Sequence, residues 1–168
     1  MATTTLADDA LQRLAVRVGR ALRARGGRLA TAESCTGGWI AKVITDIPGS
    51  SDWFEEGLVT YGNLAKQRRL GVAAPLLARQ GAVSNAVVRA MAGGVLHRSA
   101  ATCAVAVSGI AGPGGAVPGK PVGTVWICWA FRGPRAVRLV SRRYLFRGDR
   151  DTVRRRTVRQ ALLGLLSR

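Results

Sequence analysis

The sequence is poor in the residues from which many protein sites are built. Its 168 residues include one histidine, His97, which excludes any centre that needs two imidazoles. The three cysteines, Cys35, Cys103 and Cys128, are odd in number and lack CxxC or Cys/His ligand spacing. Neither a disulfide framework nor a zinc site is therefore expected, and no metal or cofactor is assigned. No stretch approaches the ~18 apolar residues of a membrane-crossing helix, and Asp8 and Asp9 stand where a secretory signal would run from basic residues into an apolar core. The expectation is no membrane partner and a cytoplasmic location. Acidic side chains are also scarce, 9 against 26 basic ones, and only Lys42, Lys66 and Lys120 among the latter are lysines.

What is present suffices for a core. A hydrophobic fraction of 48% is too high for a disordered chain. The length favours one domain, taken as residues 6–168 behind a flexible tail of residues 1–5. The formal net charge is +17, and residues 132–168 carry 12 arginines against Asp149 and Asp151. Such a stripe is the footprint of a nucleic-acid binder, or merely a solvated helix face and hairpin edge. No aromatic interleaving, zinc-finger spacing or helix-turn-helix accompanies it, so no specific nucleic-acid partner is expected.

Leu11, Leu14, Val18 and Leu22 recur at three- and four-residue steps with arginines between them, which predicts a helix over residues 6–25 that Gly26-Gly27 stops. A buried strand over 28–32 leads into a turn and a helix over 39–45. A second strand is predicted over 58–61, then a short polar helix through Lys66 to Leu70. Ser84 is placed to cap a helix carrying Val87, Val88, Met91 and Val95. A central strand over 102–108 precedes a hairpin of strands 122–131 and 136–146, and a last helix covers 149–166. Helices interleaved with strands, closed by a late hairpin, predict an α/β fold: a single-domain α/β/α layered arrangement with a mixed β-sheet covered by helices. Chemistry then belongs where loops leave the strands.

Three loops qualify. In Glu33-Ser34-Cys35-Thr36-Gly37-Gly38 a strand turns directly into a helix, which exposes the turn residue and leaves backbone N–H groups of the helix start free. Ser34 stands like the nucleophile of a strand-turn-helix elbow, although Ser34 or Thr36 could equally cap the helix. Cys35 reads as a small packing residue, since only His97, in a plain helical context, could serve it as an imidazole base. In the second loop, Tyr61-Gly62-Asn63 leads to Lys66, which could deprotonate Ser34 if burial and nearby positive charge keep its amine neutral, or could be an exposed solubilising lysine. The third, Ser108-Gly109-Ile110-Ala111-Gly112, has glycines that permit a nest of N–H groups for phosphate or carboxylate, or a tight turn with no ligand. It lacks the ending of a P-loop and the spacing of a dinucleotide fingerprint.

TAESCTGG at 31–38, IPGSSDWFEEGLVTYGNLAK at 47–66, GAVS at 81–84, SGIAGPGG at 108–115, KPVGTVW at 120–126 and GDRDTVR at 148–154 together resemble the C-terminal domain family of the competence/damage-inducible protein CinA. The match runs in order from about residue 6 to the end and resembles the stand-alone form, without the N-terminal domain of full-length CinA. Stand-alone members are nicotinamide-nucleotide amidohydrolases. The resemblance implies hydrolysis of nicotinamide mononucleotide (NMN) to nicotinate mononucleotide and ammonia, with Ser34 as nucleophile, Lys66 as its base and Tyr61 in support. It implies a small-molecule partner and a homo-oligomer, most simply a dimer. Substrate contacts are expected from Glu33, Cys35, Thr36, Gly37 and Gly38 of the first turn, from Asn63 and Ser84, and from Ser108, Gly109, Ile110, Ala111 and Gly112. Arg147 or Arg150 is expected near the phosphate. The alternative is a non-enzymatic module that binds a nucleotide or nucleic acid.

Overall fold

Alternation along the strands sends two sets of side chains to opposite faces of one sheet. The structure, a computed structural model, describes the backbone of residues 2–167 and the side chains of residues 8–167. Its strands are β1 (Leu29–Glu33), β2 (Phe54–Val59), β3 (Cys103–Gly109), β4 (Thr124–Arg132) and β5 (Val137–Leu145). Its helices are α1 (Ala2–Ala24), α2 (Trp39–Thr45), α3 (Asn63–Leu70), α4 (Ala74–Gln80), α5 (Asn85–Arg98) and α6 (Arg150–Leu166). The strand order is β2-β1-β3-β4-β5, with β2, β1 and β3 parallel and the β3-β4 and β4-β5 pairs antiparallel. The α/β class and mixed sheet expected from the sequence are borne out.

One face of the sheet presents Leu29, Cys103, Val105, Val107, Val125, Ile127 and Trp129 to α1, α2 and α6. The other presents Ala30, Ala32, Ala104, Ala106, Cys128 and Ala130 to α5, with α3 and α4 packed beside it. The alanine-lined face lets α5 lie close to the sheet. On the opposite face the close approach is made by α6, where a Cβ on Gly164 would fall 2.1 Å from the Trp129 ring.

Several boundaries differ from expectation for identifiable reasons. The first helix starts at Ala2, and the predicted flexible tail of residues 1–5 falls within a segment whose side chains lie outside the described residues. The second strand is Phe54–Val59, not 58–61. Its FEEGLV sequence has weak strand propensity, but it is an edge strand fixed by parallel pairing with β1 and by an Arg28–Glu55 ion pair of 2.7 Å. The α4 helix was not anticipated; it is a single short segment with proline in its first turn, where no N–H is missed. The 39–45 helix and the Ser84 cap, whose hydroxyl accepts from the Val87 N–H, match their predictions. Among the described residues no helix is long and apolar enough to cross a membrane.

Candidate active site

The topology places a switch in crossover direction at the C-terminal end of β1. From β1 the chain crosses through α2 to β2 on one side, and from β2 it crosses back over the opposite face through α3, α4 and α5 to β3 on the other side. Connections that diverge on either side of one strand leave a gap at its carboxyl end. Because β5 runs parallel to β3, its end delivers the start of α6 to that same edge.

At this point β1 ends and the backbone turns. Ser34 is only 9% exposed; its N–H donates to the Val107 carbonyl (3.1 Å) and its carbonyl accepts from the Gly37 N–H (3.0 Å). Gly37 (φ 60°) and Gly38 (φ 93°) take left-handed conformations, which confines the turn to glycine at both positions. Glu33 is fully buried beneath it. Its carboxylate accepts from the N–H groups of Ile40 (2.9 Å) and Ala41 (2.8 Å) and from the Thr36 hydroxyl (2.6 Å). A buried charge at the start of α2 is thus compensated by the helix's own unpaired donors, and no other residue caps this end. Above it, the Thr36 N–H has no hydrogen-bond partner among the described residues, and the Cys35 N–H lies against its own thiol sulfur.

Lys66, on the second turn of α3, reaches into the same place. It is 1% exposed, and its Nζ lies 3.1 Å from Ser34 Oγ, 2.8 Å from the Thr60 carbonyl oxygen and 2.9 Å from that of Tyr61. Cε and these three partners account for all four directions around the nitrogen. When the amine is neutral, two N–H groups serve the carbonyls and the lone pair is left facing the serine hydroxyl. Burial lowers the Lys66 pKa from its ordinary value of 10.5. Desolvation is the cause, and the neighbouring positive charge expected beside it contributes nothing. Cys35 differs: its thiol packs into the core and burial pushes its pKa up to about 12, so it remains protonated and unreactive at neutral pH.

Other predicted residues divide by position. Tyr61 is 59% exposed; its backbone carbonyl accepts from Lys66 and its phenolic oxygen accepts from Arg150 (3.0 Å). Arg150 also donates to the Gly112 carbonyl (2.8 Å), tying the second and third loops to the start of α6. Ser84 and Ser108 are buried and committed to backbone, their hydroxyls donating to the carbonyls of Gly81 and Ala82. Asn63 opens α3 with an exposed side chain, and Arg147 is exposed in the connection from β5 to α6. His97 lies exposed in the last turn of α5. One residue that sequence reasoning missed is Arg154, whose guanidinium donates to the carbonyls of Cys35 (3.1 Å) and Thr36 (2.9 Å). Its signal was available, because Arg150 and Arg154 are four residues apart and so share a helix face. Among the described residues no group of three or more His, Cys, Asp or Glu could hold a metal ion.

Residues 11–168 match the model of the CinA C-terminal domain, and the chain belongs to that family of mixed-sheet α/β proteins. More particularly, it is 53% identical over 157 residues to the nicotinamide-nucleotide amidohydrolase PncC of Escherichia coli K12, covering 94% of this chain and 93% of that protein. A CinA-like protein of Akkermansia muciniphila is 57% identical across 83% of this chain and 33% of its own length. The crystal structure of the competence damage-inducible protein A from Klebsiella pneumoniae superposes with a TM-score of 0.89 at 43% identity, covering 94% of this chain and 96% of that one.

Proposed function

We propose that the protein is a nicotinamide-nucleotide amidohydrolase that converts NMN to nicotinate mononucleotide and ammonia by a Ser34/Lys66 mechanism. The observation that carries this reading is the buried amine of Lys66 at 3.1 Å from Ser34 Oγ, in a chain about half identical to proteins named for that activity. Neutral Lys66 takes the hydroxyl proton as Oγ attacks the carboxamide carbon. The negative charge that develops on the carboxamide oxygen is met by the N–H groups of Cys35 and Thr36, the latter without a hydrogen-bond partner among the described residues. Collapse breaks the C–N bond, and the proton on Lys66 passes to the departing nitrogen to give ammonia. Water then attacks the acyl-serine, Lys66 accepts its proton and returns it to Oγ, and the nicotinate product leaves. The cation at Arg150, beside the 108–112 loop, suits the substrate's phosphate.

The test is ammonia release from NMN by purified protein in the presence of EDTA. The wild type should release ammonia, and Ser34→Ala should lose activity by at least roughly 10³-fold while keeping its circular dichroism spectrum. Wild-type rates in Ser34→Ala would refute the serine assignment, and no release by the wild type would refute the amidase reading.

A further inference from the structure

Arg154 lies outside the Ser34–Lys66 pair, yet two hydrogen bonds join it to the backbone of the nucleophile turn. Its Nε–H donates to the Cys35 carbonyl at 3.1 Å and one terminal N–H to the Thr36 carbonyl at 2.9 Å. The half-buried guanidinium is held from the other side by the Trp39 ring, 5.2 Å from its carbon to the ring centroid. The Cys35 carbonyl and the Thr36 N–H belong to one planar peptide and point in nearly opposite directions. Fixing the carbonyl on α6 therefore fixes the direction of the Thr36 N–H, away from the arginine. A charged donor on a peptide oxygen also draws electron density from the nitrogen and strengthens the N–H as a donor. That N–H has no partner among the described residues, although Thr36 itself is fully buried.

We infer that Arg154 is a positioning residue for the amidase: through the Cys35–Thr36 peptide it orients and polarises the Thr36 N–H that receives the oxyanion. The inference rests on the amidase reading for its kinetic consequence and on geometry alone for its structural one. The same guanidinium lines a groove of about 470 Å³ behind the turn, together with Leu11, Gly37, Gly38, Trp39 and Asp151. Ser34 and Lys66 do not line this groove, so a small solute can reach the Arg154 position without entering the site.

Two readouts test this. In ammonia release from NMN, Arg154→Met should lower kcat by roughly 10- to 100-fold with KM nearly unchanged, because the lost interaction is realised in the transition state. Arg154→Lys, which keeps a cation near Trp39 but cannot span two carbonyls, should fall between it and the wild type. Added guanidinium should restore part of the rate to Arg154→Ala and none to Ser34→Ala. Independently of turnover, the Thr36 amide resonance in a ¹H–¹⁵N spectrum should move upfield in both Arg154→Met and Arg154→Lys. Wild-type kcat in Arg154→Met, a loss that appears in KM instead, or an unmoved Thr36 amide would overturn the inference. Should the wild type release no ammonia, the amidase reading falls, and the Thr36 resonance still decides whether Arg154 polarises that peptide.

Discussion

Replacing Lys66 with methionine tests how the protein holds a buried amine. In the wild type the side chain is 1% exposed and burial lowers its pKa below 10.5, so the folded chain binds this proton more weakly than the unfolded one. Between the folded value and the unfolded ~10.4, the unfolded state carries a proton that the folded state lacks, and stability rises with pH. The slope approaches ~1.4 kcal/mol per pH unit, the full effect of one proton. Below the folded pKa both states are protonated and the whole burial penalty remains; above ~10.4 neither is, and the penalty is gone. Methionine has nothing to titrate. The unfolding free energy of the wild type minus that of Lys66→Met should therefore climb with pH through this window and then level off.

The substitution also strips the Thr60 and Tyr61 carbonyl oxygens of their donor, which costs roughly 1–3 kcal/mol for each that stays dry. That loss does not depend on pH, so it sets the height of the difference curve and leaves its slope alone. The Cys35 thiol, pushed up to about 12, stays neutral in the window, and groups common to both proteins cancel. Urea unfolding followed by circular dichroism from about pH 6 to about pH 10.5 gives both curves. Parallel curves would mean that Lys66 keeps its proton throughout, and a lysine of that kind cannot be the base for Ser34.

Two further substitutions probe the supports of the site. Glu33→Gln turns a carboxylate that accepts from two helix N–H groups and a hydroxyl into an amide whose NH₂ faces those donors; thermal melting should show a loss of roughly 1–3 kcal/mol, and an unchanged Tm would contradict the capping role. Gly164→Ala places a methyl 2.1 Å from the Trp129 ring, whose Nε1 is anchored to the Ala161 carbonyl at 2.8 Å. It should cost about 1–3 kcal/mol, seen as a Tm lower by about 2–4 °C for each kcal/mol, and a neutral result would mean that α6 can lift from the sheet without penalty.

How much of this could be read from the sequence depends on what each feature rests on. The 39–45 helix and the Ser84 cap follow from local chemistry and were legible. β2 was misplaced because Glu55, Glu56 and Gly57 carry no strand signal; pairing with β1 makes the strand. The Ser34–Lys66 pair was legible as a possible nucleophile and base, and the two side chains meet at 3.1 Å; what holds the amine there was not legible. What orients the amine is the pair of backbone carbonyls at Thr60 and Tyr61, and backbone atoms leave no trace in residue identity. Glu33 was grouped with substrate contacts because it adjoins Ser34. Strand alternation turns it to the opposite face, where it caps α2.

The arginine excess shows the same limit more sharply. Composition offered two readings, a solvated face or a nucleic-acid footprint, and the structure adds a third. Arg98 donates to the Leu70 carbonyl at the end of α3, Arg132 to those of Leu96 and Ser99 at the end of α5, Arg89 to Leu139 and Arg143 to Gly119. Helix ends and loops expose carbonyl oxygens that need donors, and a guanidinium brings five N–H groups in a fixed plane where an ammonium brings three on a flexible stem. Arg150 and Arg154 belong to this series, with the difference that their carbonyls lie in the loops around Ser34. The same interaction that closes a helix end elsewhere in the molecule thus sets positive charge beside the Ser34 turn, while the lowered pKa of Lys66 comes from burial.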